Sequence, residues 1–148
     1  MADDGVRSLT RGLGIAAGGM SAQRARMDAV ASNLANAETT RTVEGGPYRR
    51  KVVRMEEIPF SAALASDGEG AEVLEGGVRI AGLEEDASEG PLVYDPGHPD
   101  ADEKGFVRMP NVRVPEEMAE LLDARNLFEA NASVFMAVRN MLRRATQL

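Results

Sequence analysis

Residues 115–148 read PEEMAELLDARNLFEANASVFMAVRNMLRRATQL, and this stretch decides the fold. Its one proline, Pro115, comes first, and no glycine interrupts it. Proline suits the first helical position, because the N–H it lacks would have no partner there. Glu116, Glu117 and Glu120 lie in the opening turns and Arg139, Arg143 and Arg144 in the closing ones. Both placements favour the helix dipole. Apolar residues recur every seven as Leu121, Phe128, Phe135 and Leu142, and Ala124, Val138 and Ala145 fill most of the half-heptad positions. A second row, Leu127, Val134, Met141 and Leu148, lies beside the first. At ~1.5 Å per residue the helix would be roughly 50 Å long, too long for the core of so small a domain. It needs a partner helix along its length. Asn131 falls in the seam between Phe128 and Phe135 and reads as a buried amide that fixes register.

The partner lies at the other end of the chain. In residues 8–37, Leu13, Met20, Met27 and Leu34 are seven apart, and Leu9, Ala16, Val30 and Ala37 take the complementary positions, with Gln23 as the break. Gly12, Gly14, Gly18 and Gly19 weaken the first half, each by roughly 1 kcal/mol against Ala. They allow either close backbone approach in a crowded helical assembly or a frayed, kinked start. The run Gly12-Leu13-Gly14-Ile15-Ala16-Ala17 matches a relaxed dinucleotide fingerprint. That fingerprint needs a hydrophobic strand just before it, and Asp3, Asp4, Gly5, Arg7 and Thr10 make none. Asn33 and Asn36 are expected to end this helix, since Asn tolerates the left-handed conformation and caps helix ends.

Residues 38–114 shift toward a period of two. Gly45-Gly46-Pro47 reads as a turn, Tyr48 to Met55 as a strand, Val73 to Ile80 as a hairpin through Gly76-Gly77, and Leu92–Tyr94 and Phe106–Met109 as short strands. Arg49, Arg50, Lys51 and Arg54 form the densest basic run, which reads as a solvated or subunit-facing edge. The class expected is therefore α+β. Long N- and C-terminal helices (1–37 and 115–148) pair as a coiled-coil-like domain, and 38–114 forms an extended segment and a small β-rich domain.

Charge excludes some functions. The net charge is −7. Residues 1–37 carry four Arg against three Asp, 38–114 nine basic against sixteen acidic residues, and 115–148 four against five. The middle thus holds the excess, and no basic stripe favours nucleic acid. There is no cysteine and no run of about 18 apolar residues, so neither a disulfide framework nor membrane insertion is expected. The start MADDGVRSLTRG lacks the basic-then-apolar order of a secretory signal. In the loop 95–105, Asp100, Asp102 and Gly105 sit at EF-hand spacing for the first, third and sixth positions. Lys104 and Asn111 stand where oxygen ligands are required, so the match fails. His98 is the one histidine, and no catalytic, cofactor or metal constellation assembles. A surface loop that contacts neighbouring subunits is the expectation there.

Residues 27–37, MDAVASNLANA, resemble the N-terminal signature of bacterial flagellar rod, hook and hook-associated proteins, in which an apolar helix ends in an S-N-x-A-N segment. Thr39 to Lys51, with its Gly45-Gly46-Pro47-Tyr48 turn, is similar to the proximal-rod family in particular. So are Tyr94 to Asp102, running on to Gly105-Phe106-Val107, and the block from Pro110-Asn111-Val112 through Glu117-Met118 to Glu129-Ala130-Asn131. Residues 60–90 carry little signature. The resemblance implies a structural subunit without catalysis or cofactor, exported through the flagellar apparatus without a cleaved signal. It implies helical assembly into the periplasmic rod of the basal body, a tube that transmits torque and encloses the export channel. It also implies that the paired terminal helices are the inner domain and 38–114 the outer domain. The implied partners are copies of itself, other rod proteins, membrane-ring and rod-adaptor proteins at the base, and the flagellar export apparatus. The expected assembly interface is Leu13, Met20, Met27, Val30, Asn33, Leu34 and Asn36 on one helix. On the other it is Met118, Leu121, Phe128, Asn131, Phe135, Val138 and Leu142. A cytoplasmic coiled-coil adaptor or chaperone would explain the heptads but not the Asn33/Asn36 segment, the glycine turn or the acidic middle.

Overall fold

The computed structural model describes residues 2–58 and 76–145. Helix α1 is Ala2–Ala35, and strand β1, Lys51–Glu57, follows it. Then come β2 (Val78–Glu85), β3 (Leu92–Tyr94), β4 (Phe106–Arg108) and helix α2 (Val114–Ala145). The class is α+β, with the terminal helices packed together and a small β-rich middle. α2 opens one residue before Pro115, and its first backbone bond runs from Glu117 N–H to the Arg113 carbonyl, 3.0 Å. Pro115 is still within the first turn, where its missing N–H has no partner.

β1 pairs with β2, and β3 pairs with β4. The second pair is antiparallel, with Leu92 opposite Arg108, Val93 opposite Val107 and Tyr94 opposite Phe106. Two expectations shift here. β1 starts at Lys51 rather than Tyr48, because the preceding backbone is held elsewhere. Tyr48 N–H donates to the Thr39 carbonyl (2.9 Å), and Arg50 N–H to Asn111 Oδ1 (2.7 Å). β2 runs on past Ile80 to Glu85 beside β1, while the expected strand start at 73–75 lies outside the described residues. Gly76 and Gly77, at φ 82° and 109°, lead into β2 in a conformation that side-chain-bearing residues resist.

The chain forms two compact units, and each draws on both terminal segments. The first is residues 1–25, 54–82 and 123–148. Here α1 passes unbroken through its five glycines. A methyl group added at Gly12 would lie 3.8 Å from Val138, and one at Gly19 only 2.9 Å from the Asn131 amide. As one helix ascends the other descends, so the two run antiparallel. Gly12 and Gly19 of α1 thus lie against α2, and Leu13 and Met20, which the heptads place in the seam, are half-buried. The physical reason is volume: glycine lets the backbones approach where a larger side chain would hold them apart. Ala16, Ala22 and Ala124 are buried, and the start of β2 lies against Ile15 and Gly18.

The second unit is residues 26–53 and 83–122. Its buried residues include Ala29, Val30, Asn33, Tyr48, Val107 and Glu117. Gly45 and Gly46, at φ 90° and 76°, close the turn between α1 and β1, with Thr42 N–H donating to the Gly46 carbonyl at 2.8 Å.

Candidate functional site

Sequence chemistry and geometry converge at the end of α1. Asn33 lies there, fully buried on the face turned toward α2. Its Oδ1 accepts from Lys51 N–H (2.8 Å) and from the Tyr48 hydroxyl (3.0 Å). Its Nδ2 donates to the Lys51 carbonyl (2.9 Å) and to Glu117 Oε2 (2.9 Å). One amide therefore pairs with a backbone residue as a neighbouring strand would, and it bridges α1, β1 and α2. Ser32 Oγ lies 3.1 Å from the Tyr48 hydroxyl, and the Lys51 ammonium is 5.8 Å from the Tyr48 ring centre.

Glu117 is also fully buried. Its second oxygen takes a very short bond from Arg50 Nε, and Arg50 Nη2 reaches Glu120 at 2.8 Å. Arg26 approaches the other oxygen of Glu120 at 3.7 Å. Burial by itself would lower the Arg50 pKa. The hydrogen bond and charge of Glu117, with Glu120 behind them, outweigh it and hold the guanidinium above its ordinary value. Such a pair is weak evidence of stability, since desolvation offsets most of the attraction. It does demand one arrangement, because separating the partners leaves a buried charge alone. Asn111 extends the joint. Its Oδ1 holds Arg50 N–H, and its Nδ2 donates to the carbonyls of Asp86 (3.1 Å) and Ser88 (3.0 Å).

Asn36 ends α1 by other means than expected. Among the described residues only glycines have positive φ, so neither Asn33 nor Asn36 is left-handed. Instead Asn36 Nδ2 donates to the Ser32 carbonyl (2.9 Å), and its Oδ1 accepts from the Thr39 hydroxyl (3.2 Å). The Ser32 carbonyl, which also accepts from Asn36 N–H at 3.2 Å, thus gains a side-chain donor at the helix end.

The loop 95–105 binds itself and its neighbour in this unit. Asp102 Oδ1 accepts from Lys104 and Phe106 N–H, both at 2.8 Å, and Asp95 Oδ1 from Gly97 N–H at 3.1 Å. Asp100 accepts from the Thr40 hydroxyl at 2.8 Å and pairs with Arg41 at 3.4 Å. The EF-hand-spaced carboxylates thus shape a loop and dock it on the segment after α1.

Among the remaining expected interface residues, Val30 is buried, and Leu13, Met20, Met27, Leu34, Leu121, Phe128, Asn131, Phe135, Val138 and Leu142 are half-buried. Met118 is 55 % exposed. Residues that the sequence left out are Glu117, Arg50, Tyr48 and Asn111. Glu117 reads as a dipole residue and Arg50 as part of a solvated edge, and both are internal partners instead. The available signal for Glu117 is spacing, seven residues before Ala124 and fourteen before Asn131.

Comparison with known proteins bears on this joint directly. A family described as "Flagella basal body rod protein" matches residues 13–41, which include Asn33 and Asn36. "Flagellar basal body rod FlgEFG protein C-terminal" matches residues 103–148, which include Glu117. The flagellar basal-body rod protein FlgC of Bacillus subtilis is 40% identical over 142 residues, covering 92% of this chain and 95% of the relative. That of Borreliella burgdorferi is 38% identical over 145 residues, covering 90% and 92%. The chain belongs to the FlgC family of flagellar basal-body rod proteins. FlgC proteins are structural, so the chain is a rod subunit and not an enzyme. Nothing in this kinship favours the cytoplasmic adaptor alternative.

Proposed function

We propose that the chain assembles helically, with copies of itself and with other rod proteins, into the proximal rod. The observation that carries this is exposed apolar surface on an already paired helix. Leu122, Leu127, Val134, Met136 and Met141 of α2 remain between 41% and 64% exposed. Side chains of that kind in such number call for cover by other subunits. Residues 1–37 and 115–148 serve as the inner helical domain, and 38–114 as the outer one. The tube transmits torque and encloses the export channel. The chain reaches the periplasm through the flagellar export apparatus. Ring and adaptor proteins meet the rod at its base, and the loop 95–105 contacts a neighbouring subunit.

The test is recovery of the chain with isolated basal bodies, in the parent and in two variants. Phe135 is half-buried, so Phe135→Ala should cost about 2 kcal/mol in each subunit and more at each contact in the rod. Cells carrying it should be non-motile and stop before the rod is complete, with the protein still soluble. Arg139 is exposed, and Arg139→Ala should swim normally. Absence of the parent chain from basal bodies would overturn the proposal.

A further inference from the structure

Within the first unit, α2 carries a second heptad row. Leu127, Ala130, Val134, Ala137 and Met141 are spaced alternately by three and four, and the next step of three falls on Arg144. All five are exposed, the larger three by 41%, 52% and 56%. No charge falls in the row between Leu127 and Met141. The flanking residues on its outer side, Asn126, Ser133 and Asn140, are uncharged and exposed too. This spacing is what a facing helix requires, with large knobs alternating with alanine gaps. A membrane surface would call for cationic flanks instead.

α1 carries the matching pattern. Leu13, Ala17 and Met20 start a row of the same period, which continues through Arg24 to Met27, Ala31 and Leu34. It too alternates large residues with alanine, except that the exposed Arg24 takes one alanine place, and its large apolar members are only half-buried. The two rows do not face each other within one chain. The α1 row lies one residue after the inward Gly12 and Gly19, and the α2 row one residue before the inward Asn131 and Val138. One residue is a rotation of ~100° about the helix axis. In an antiparallel pair these opposite displacements bring the rows to opposite sides.

We infer that the α2 row of one copy seats on the α1 row of a second copy, large residues entering the alanine gaps. This rests on the reading of the chain as an assembling subunit, and it names the surfaces that meet. Each copy offers one row of each kind, so the contact is heterologous and does not close into a symmetric pair.

The chain has no cysteine, so single cysteines report the contact cleanly. Leu13→Cys and Met20→Cys mark the α1 row, Val134→Cys and Met141→Cys the α2 row, and Ser133→Cys a control off the row. Circular dichroism checks that each variant folds. Concentrated full-length chains are mixed pairwise under mild oxidation, and the same variants are oxidised in cells building flagella. An α1-row cysteine should cross-link to an α2-row cysteine severalfold more than either does to its own kind. Val134→Cys paired with Met20→Cys in one chain should give ladders. Dominant same-site dimers, equal reaction at Ser133→Cys, or no row-to-row product in either setting would overturn the inference. So would sedimentation with phosphatidylglycerol vesicles that Val134→Glu abolishes, since a membrane would then occupy the row. Basal-body recovery without row-to-row links would sink this inference alone. Row-to-row links without recovery would sink the rod assignment and leave the contact standing.

Discussion

Asn33 spends both amide hydrogens and both carbonyl lone pairs on four partners. Asn33→Ala strands Lys51 backbone groups and one oxygen of Glu117, leaves the Tyr48 hydroxyl with Ser32 alone, and should cost about 3 kcal/mol. Asn33→Asp keeps the shape but puts a carboxylate oxygen where Nδ2 donates, against Glu117 and the Lys51 carbonyl. At neutral pH it should be the less stable of the two, and protonation of the new acid at low pH should recover part of the loss. Thermal melts of both variants across pH check this, and an Asp variant as stable as the parent would refute the geometry. Asn33 was legible in the sequence through its place in the Ser32–Asn36 segment. Its partners were not. Tyr48 and Lys51 are loop and strand residues with no periodic signal, and a glutamate in the first turns of a helix usually faces water. Glu117 is buried because Arg50 and Asn33 reach it from elsewhere in the chain.

Between elements, the closeness of α1 and α2 depends on two glycines with unequal room. Gly12→Ala should gain the helix propensity of alanine, about 1 kcal/mol, since its new carbon would meet Val138 at an ordinary 3.8 Å. That gain should raise Tm by about 3 °C. At Gly19 the new carbon would lie 2.9 Å from both polar atoms of the Asn131 amide. Asn131 must then move and give up its bond to the Leu127 carbonyl, now 2.9 Å, for roughly 1 kcal/mol. Gly19→Ala should therefore gain nothing, and adding Asn131→Ala should restore the gain. Equal stabilisation by the two single changes would contradict this packing. The long C-terminal helix was readable because its large apolar residues keep strict spacing over many turns. The close approach at Gly12 and Gly19 was not, since glycine carries no hydropathy signal. Strand β3 was read in full as Leu92–Tyr94, whereas β1 began late because distant side chains claim the backbone before it.

At the scale of the whole molecule, neither compact unit is continuous in sequence. The first needs 123–148 to cover α1, while the second holds Arg26–Val53 and Leu83–Leu122. A chain ending at Leu122 should lose hydrogen-exchange protection through residues 2–25 and keep it around Asn33 and Tyr48. Retained protection over 2–25 would show that α1 stands without its partner. The same interleaving governs the order of events when the chain folds. The bond from Asn33 to Glu117 closes a loop of 84 residues, at an entropic cost of about 4 kcal/mol, and contacts of such high order form slowly. The second unit cannot condense until residues 83–122 are free to join it, nor the first until 123–148 are. The topology itself therefore makes folding wait on the far end of the chain.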